Sequence, residues 1–192
     1  MILGITGGTG CGKTTFLNCI AELGGIILDC DAIYHELLRT DESLLRAIES
    51  RFPGTVTEGS LNRKALGAIV FADENALQDL NAITHTAVKT AVLAQLQKHK
   101  GKHIAIDAIG LFEGGLAELC DVTVAVTAPE ETRISRIMAR DGISYEYAAS
   151  RVNAEHPNEW FSERCDYALE NSSTADHFRT QCIAFLRTLG IM

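Results

Sequence analysis

Gly7-Gly8-Thr9-Gly10-Cys11-Gly12-Lys13-Thr14 matches G-x-x-x-x-G-K-[ST], and its reading decides the fold. Glycines let the backbone curl so that successive N–H groups point into one hollow, and such a hollow binds phosphate. A helix that opens directly after the hollow adds the positive end of its dipole. On this reading Gly8, Gly10, Cys11, Gly12, Lys13, Thr14 and Thr15 bind a nucleotide. Lys13 reaches the outer phosphates as a catalytic cation, and the Thr14 hydroxyl is placed to hold a magnesium ion. The flanks agree. Met1–Thr6 reads as a short buried strand and Thr15–Ala21 as an amphipathic helix, so strand, loop and helix follow in the order the motif requires.

Further along, Gly25–Leu28, Ile104–Ile106, Val122–Thr127 and Tyr167–Leu169 join Ile2–Thr6 as apolar strand candidates. Helical patterns separate them. Ala76–Lys98 repeats apolar residues at helical spacing, including Leu77, Leu80, Ile83, Val88 and Leu96. Pro129 suits the first turn of a helix running to Arg140, Ser144 can cap another, and Ser173 with Asp176 starts the last. Alternating strands and helices predict a parallel sheet covered on both faces, with ligands at the carboxyl ends of its strands. From Ile33 to Lys100 only helical patterning is visible, broken by Pro53-Gly54 and Glu58-Gly59. The expected organisation is one kinase-like domain: a core of residues 1–32, 101–141 and 165–192, a helical acceptor lobe over about 33–100, and a lid over about 142–164. A lid keeps water from a transferred phosphoryl group.

With 46% hydrophobic and 22% charged residues the chain has the make-up of an ordinary soluble globule. Its net charge of −8 and the lack of a Lys/Arg run argue against nucleic acid as a partner. The nearest basic cluster, Lys98-His99-Lys100-Gly101-Lys102-His103, suits a helix end. The 6 cysteines show no C-x-x-C spacing and, without a signal peptide, read as reduced thiols in the cytoplasm. Cys11 has two readings: a thiolate stabilised at a helix N-terminus beside Lys13, or a small residue that fits the loop. No apolar run approaches the roughly 20 residues that span a bilayer, so no membrane partner is expected.

Three further groups could carry chemistry. Asp29-Cys30-Asp31 ends the second strand, where alternation sends both carboxylates the same way. One could accept a proton from an attacking hydroxyl and the other act on magnesium through water; alternatively they cap the next helix. Arg133, Arg136 and Arg140 share one helix face, either for phosphate oxygens or as a solvated face paired with Glu130 and Glu131. Arg140, next to the lid, is the preferred functional member. Asp107 ends the Ile104–Ile106 strand, where it can approach magnesium. Asp107-Ala108-Ile109-Gly110 also fits the D-x-x-G of GTPases, but no N-K-x-D segment for guanine exists in the chain. His35, His85 and His156 show no metal spacing.

Taken together, several segments resemble the dephospho-CoA kinase family over nearly the whole chain. Gly4–Thr15 is similar to the family's opening, and Leu28-Asp29-Cys30-Asp31 with His35 and Leu37 looks like its Asp-x-Asp segment. Gly59-Ser60-Leu61-Asn62-Arg63-Lys64-Ala65-Leu66 is a less common signature than the phosphate loop. Leu80-Asn81-Ala82-Ile83-Thr84-His85 and Asp166–Asn171 resemble two more of its segments. The resemblance implies a P-loop kinase-like α/β fold, three layers α/β/α around a five-stranded parallel sheet, with the inserted lobe and lid. It implies transfer of the ATP γ-phosphoryl to the ribose 3′-hydroxyl of dephospho-CoA, with Mg2+. Asp31 would be the base and, with Thr14, a magnesium ligand; Arg140 would be a lid arginine. Asp29, His35, Arg63, His85 and Asp107 would bind the acceptor, and Asn171 would lie near adenine. A monomer or small homo-oligomer is expected. The chain departs from the family at Ala108–Gly110, where proline and leucine are usual, at Thr86 for proline, at Glu155 for glutamine and at Phe161 for a basic residue. The alternatives are a kinase for another small acceptor, such as a nucleoside or nucleotide, and a nucleotide-binding regulator without catalysis.

Overall fold

The computed structural model describes residues 1–191. In chain order its elements are β1 (Ile2–Thr6), α1 (Lys13–Glu22), β2 (Ile26–Asp29), α2 (Cys30–Thr40), α3 (Glu42–Arg51), β3 (Val56–Thr57), β4 (Ser60–Leu61), α4 (Arg63–Val70), α5 (Glu74–Lys98), β5 (Ile104–Asp107), β6 (Val122–Thr127), α6 (Glu130–Asp141), α7 (Tyr145–Asn153), α8 (Asn158–Arg164), β7 (Tyr167–Glu170) and α9 (Ala175–Thr188). The five apolar stretches form one parallel sheet in the order β2-β5-β1-β6-β7. Ile104–Ile106 is buried throughout and Val122–Thr127 nearly so, as strands covered on both faces are.

The chain divides into two compact units, one of residues 1–27, 101–111 and the chain from Ala117, the other of residues 28–100 and 112–116. The segment 142–164, with α7 and α8, belongs to the first.

In the first unit β1 is the central strand. It pairs with β5 through Gly4↔Ile106 and Ile5↔Asp107, and with β6 through Ile5↔Val124 and Thr6↔Ala125. β6 pairs with β7 through Val126↔Leu169 and Thr127↔Glu170. These registers bring the carboxyl ends Thr6, Asp107, Thr127 and Glu170 to one edge, where the glycine loop begins. Helices α1 and α9 pack together over the sheet, with Phe16, Ile20, Phe178, Cys182 and Leu186 closing on Leu3, Val124 and Leu169. Truncating a fully buried phenylalanine such as Phe16 or Phe178 would cost about 3–5 kcal/mol. Ile134 and Ile137 of α6 meet Ala148 and Val152 of α7 in a smaller cluster.

The second unit is built on α5, against which α2, α3 and α4 pack. Leu38, Leu45, Ile48, Phe52, Leu66 and Val70 form its core. It is not wholly helical, as the patterning suggested. Val56–Thr57 pairs antiparallel with Ser60–Leu61 around Glu58 (φ 51°) and Gly59 (φ 75°). Two successive positive φ values are the signature of a tight hairpin turn. Strands of two residues are too short to show alternation, so only the Glu58-Gly59 break marked the place.

Helix starts follow their caps. Asp73 accepts from the Asn75 N–H at 2.9 Å, which opens α5 at Glu74. The Ser144 hydroxyl accepts from the Tyr147 N–H at 3.3 Å, as expected. The last helix is capped by Thr174, not Ser173: the Thr174 hydroxyl accepts from the His177 N–H at 3.3 Å. Among the described residues no helix is long and apolar enough to cross a membrane.

Candidate functional site

Strand β1 delivers the chain to Gly7, whose φ of 136° lies in the left-handed half of conformational space. A Cβ there would stand 2.0 Å from the Val126 carbonyl oxygen, so no side chain fits. The loop ends at Gly12 (φ 99°), the N-cap of α1, which supplies no side-chain cap. The Lys13 and Thr14 N–H groups at the start of α1 therefore remain for an anion. Between these points the Cys11 N–H bonds to the Gly8 carbonyl at 3.2 Å and the Thr15 N–H to the Gly12 carbonyl at 3.0 Å. Lys13 opens α1 and its Nζ donates to the Gly7 carbonyl at 2.8 Å, which holds the ammonium across the mouth of the loop. Thr14 is exposed in the same turn.

Cys11 is 1% exposed, and burial pushes its thiol pKa up in spite of Lys13. The thiolate reading fails for that reason, and Cys11 is the small side chain that fits the loop.

The arginine face of α6 divides. Arg133 is buried, donates from Nε to the Thr9 carbonyl at 2.9 Å and pairs through Nη2 with Glu155. Glu155 accepts from the Thr9 N–H at 2.9 Å and from the Thr9 hydroxyl at 2.5 Å. Arg136 donates to the Gly10 and Cys11 carbonyls at 3.3 and 3.4 Å, and to the Asn171 carbonyl and Oδ1 at 3.3 and 3.1 Å. Asn171 is buried, and its Nδ2 donates to the Cys11 carbonyl at 3.0 Å while its N–H bonds to Thr127 at 2.8 Å. Arg140 goes elsewhere. It is 58% exposed and bonds to Asp141, because α6 ends at Gly142 (φ 66°) and the preceding carboxylate lies within reach. Hydrogen bonds from Arg140 first, and then from Arg151, hold the Asp141 carboxyl down at about 2. In this conformation the loop contacts come from Arg133 and Arg136. The helical spacing singled out the face but could not distinguish its members. Asp107 closes β5 at the carboxyl edge of the sheet, half-buried and in register with Ile5.

In the second unit Asp29 ends β2 and caps α2, its Oδ1 accepting from the Ala32 N–H at 2.9 Å. The helix consequently starts at Cys30, and strand alternation does not orient Asp31 as the sequence suggested. Asp31 is exposed in the first turn of α2, one helical turn before His35. The Arg63 Nη2 lies 3.2 Å from the His35 Nδ1. Arg63 opens α4 behind Asn62, whose side chain accepts from the Ala65 N–H at 3.0 Å. His85 is half-buried on α5.

No group of three or more His, Cys, Asp or Glu suited to a metal ion occurs among the described residues. A single hydroxyl, Thr14, at the loop fits magnesium, which keeps several waters and is held largely by substrate phosphates. It does not fit a metal that needs a full protein cage.

A family model described as dephospho-CoA kinase matches residues 1–177. The chain belongs to the dephospho-CoA kinase family. It is 34% identical over 192 residues to the dephospho-CoA kinase of Geobacillus kaustophilus, covering 97% of this chain and 96% of that one. A crystal structure from Thermus thermophilus superposes with a TM-score of 0.81 at 32% identity, over 98% of this chain and 97% of that one. Dephospho-CoA kinase from Campylobacter jejuni superposes with a TM-score of 0.72 at 27% identity, over 100% and 98%. Arg133 and Arg136 of α6 lie against the phosphate loop. The Arg133–Glu155 pair was not legible as part of it; the only sign was a glutamate where the family usually has glutamine.

Proposed function

We infer that this chain transfers the γ-phosphoryl group of ATP to the ribose 3′-hydroxyl of dephospho-CoA, giving CoA and ADP, the last step of coenzyme A synthesis. The family match over residues 1–177 carries this reading, because it takes in the phosphate loop and the acceptor-side segments Gly59–Leu66 and Leu80–His85 together. Phosphoryl transfer asks little covalent chemistry of the protein; it asks for positioning and for compensation of spreading negative charge. Lys13 and the N–H groups at the start of α1 meet that need at the outer phosphates. Asp31 orients the acceptor hydroxyl and takes its proton late in the transfer, a weak base made useful by placement. Asp29, as the cap of α2, sets where Asp31 stands. His35, Arg63 and His85, in the lobe formed by residues 33–100, bind the acceptor together with Asp107 at the end of β5. Arg140, at the end of α6 next to the lid of residues 142–164, acts on the phosphates, and Asn171 borders adenine. Magnesium, held by the Thr14 hydroxyl and through water by Asp31, would neutralise charge on the phosphate oxygens. We place the enzyme in the cytoplasm, where 6 free thiols stay reduced.

A coupled ADP-release assay with Mg-ATP and a panel of dephospho-CoA, pantetheine, adenosine and nucleoside monophosphates tests the reading. Dephospho-CoA should be the acceptor that accelerates ADP release. Folded protein that binds ATP but ignores dephospho-CoA would sink it, and acceleration by another member of the panel would name a different acceptor.

A further inference from the structure

We propose that Arg133 and Glu155 form a charge-neutral clamp that sets the Thr9 peptide of the phosphate loop, and that Arg133 serves there to cancel the glutamate's charge against incoming polyphosphate. The inference rests on the reading of this loop as the ATP site. Thr9 has one N–H, one carbonyl and one hydroxyl, and this pair takes all three. Glu155 accepts from the N–H at 2.9 Å and from the hydroxyl at 2.5 Å, while the Arg133 Nε donates to the carbonyl at 2.9 Å. The Arg133 Nη2 then closes the ring onto the Glu155 carboxylate. A carboxylate suits this task because both of its oxygens accept, so it can hold two donors of one residue at once. The arginine fork suits it because two of its donors point the same way.

The clamp lies directly on the loop. A Cβ at Gly8 would stand 2.2 Å from the Arg133 Nη2 and 2.6 Å from the Glu155 Oε2, and one at Gly10 would stand 2.8 Å from the Arg133 carbonyl oxygen. Gly8 thus makes room for the side-chain pair, and Gly10 for the backbone of α6 at Arg133. Glu155 follows α7 and its own N–H bonds to the Val152 carbonyl at 3.3 Å, so the clamp also ties the end of α7 to the loop.

The arrangement has an electrostatic problem that Arg133 solves. Glu155 places a negative charge against a loop whose purpose is to hold anions. Its side chain is 18% exposed and that of Arg133 3%, so water screens the charge weakly. Without Arg133 the carboxylate would repel the triphosphate at close range. Arg133 is therefore a positioning residue, its Nε and Nη2 spent on Thr9 and Glu155, and not a phosphate ligand.

The test is ATP affinity, measured by calorimetry without acceptor, on R133Q, E155Q and the double variant, with KM and kcat from the coupled assay. R133Q strands the carboxylate and should weaken ATP binding about tenfold or more, the usual scale for removing one partner of a buried charge pair. The loss should shrink as salt is raised and should appear in KM for ATP more than in kcat. E155Q leaves a cation at the loop and should bind ATP as tightly as the wild type or tighter. R133Q/E155Q should return to within about threefold of the wild type, because neutral amides can share the same hydrogen bonds without net charge. E155Q binding ATP about tenfold more weakly, or a double variant no better than R133Q, would overturn the clamp. If R133Q does not fold, E155Q alone decides by the same criterion. Wild-type protein that binds no ATP would overturn the nucleotide reading and the clamp with it, while an unexpected acceptor leaves these affinities untouched.

Discussion

Arg140 is gripped by its own neighbour Asp141, Nε to Oδ1 at 2.7 Å and Nη2 to Oδ2 at 3.0 Å, and the same carboxylate receives Arg151 at 2.6 Å. To act on phosphates, the arginine must leave this exposed pair, which is easy because solvent-exposed ion pairs contribute little to stability. Arg140→Ala should therefore leave the melting temperature within about 2 °C of the wild type. It should lower kcat on the order of 10²-fold, the effect of losing one charge-compensating donor. Thermal melts and ADP-release kinetics on the same preparation check this. A variant with wild-type kcat would reduce Arg140 to a surface ion pair.

Asn171 contributes to stability through the loop. Its side chain donates to the Cys11 carbonyl at 3.0 Å and accepts from Arg136 at 3.1 Å, and it is 4% exposed. Asn171→Ala removes two hydrogen bonds worth about 0.5–1.5 kcal/mol each, while the Cys11 carbonyl keeps Arg136 at 3.4 Å and Arg136 keeps its backbone carbonyls. For a chain of this size the melting temperature should fall by roughly 3–10 °C. Asn171→Asp should be worse than alanine at neutral pH, because a carboxylate oxygen then faces the Cys11 carbonyl. Equal melting temperatures for wild type and both variants would show that water replaces these bonds without loss.

The parts of the fold legible in the sequence are those set by local rules. A strand buried on both faces favours a dense β-branched run, and Val122–Thr127 could be read to the residue. The phosphate loop was legible because its geometry is written in consecutive glycines. What could not be read depends on competition or distance. Asp29 could have continued the strand or capped a helix; the Ala32 N–H settled the matter, and Asp31 moved from a strand face to a helix turn. The hairpin at Val56–Leu61 is too short to carry a period. Glu155 meets Thr9 across 146 residues of chain, and no local pattern encodes that meeting.

The buried Cys182 and half-buried Cys120 and Cys165 predict alkaline sensitivity. Burial pushes Cys182 and Cys120 up to about 12 and Cys165 to about 11, from an ordinary value of 9.0. The unfolded chain ionises these groups near 9.0, whereas the folded protein keeps their protons. Between those values the native state binds more protons than the unfolded state, so stability falls as pH rises. Urea midpoints should hold steady below pH 9.0 and decline between pH 9.0 and about 12. Replacing Cys182 with alanine should flatten part of that decline, although the cavity lowers stability at every pH. Labelling by a thiol reagent at neutral pH should be slow at Cys11 and Cys182, both nearly inaccessible. Fast labelling of either in folded protein would contradict the burial.

Asp31 gives the sharpest test of the chemistry, because its position separates binding from transfer. It is exposed in the first turn of α2 and is not the N-cap, a task that Asp29 performs. Asp31→Asn therefore keeps the helix start and the side-chain shape while removing the basic oxygen. Folding and ATP affinity should be unchanged, and turnover with dephospho-CoA should fall by about 10²-fold or more, the range for a positioned general base. Asp29→Asn is the control. Asparagine also caps helices, so it should leave the melting temperature nearly unchanged and affect turnover only through the setting of Asp31. A helix-start role for Asp31 would instead lower stability modestly, by loss of a charge near the helix dipole, and spare kcat. Wild-type turnover in Asp31→Asn would remove it from the base role and move the search for the proton acceptor to Asp107, which ends β5 at the carboxyl edge of the sheet.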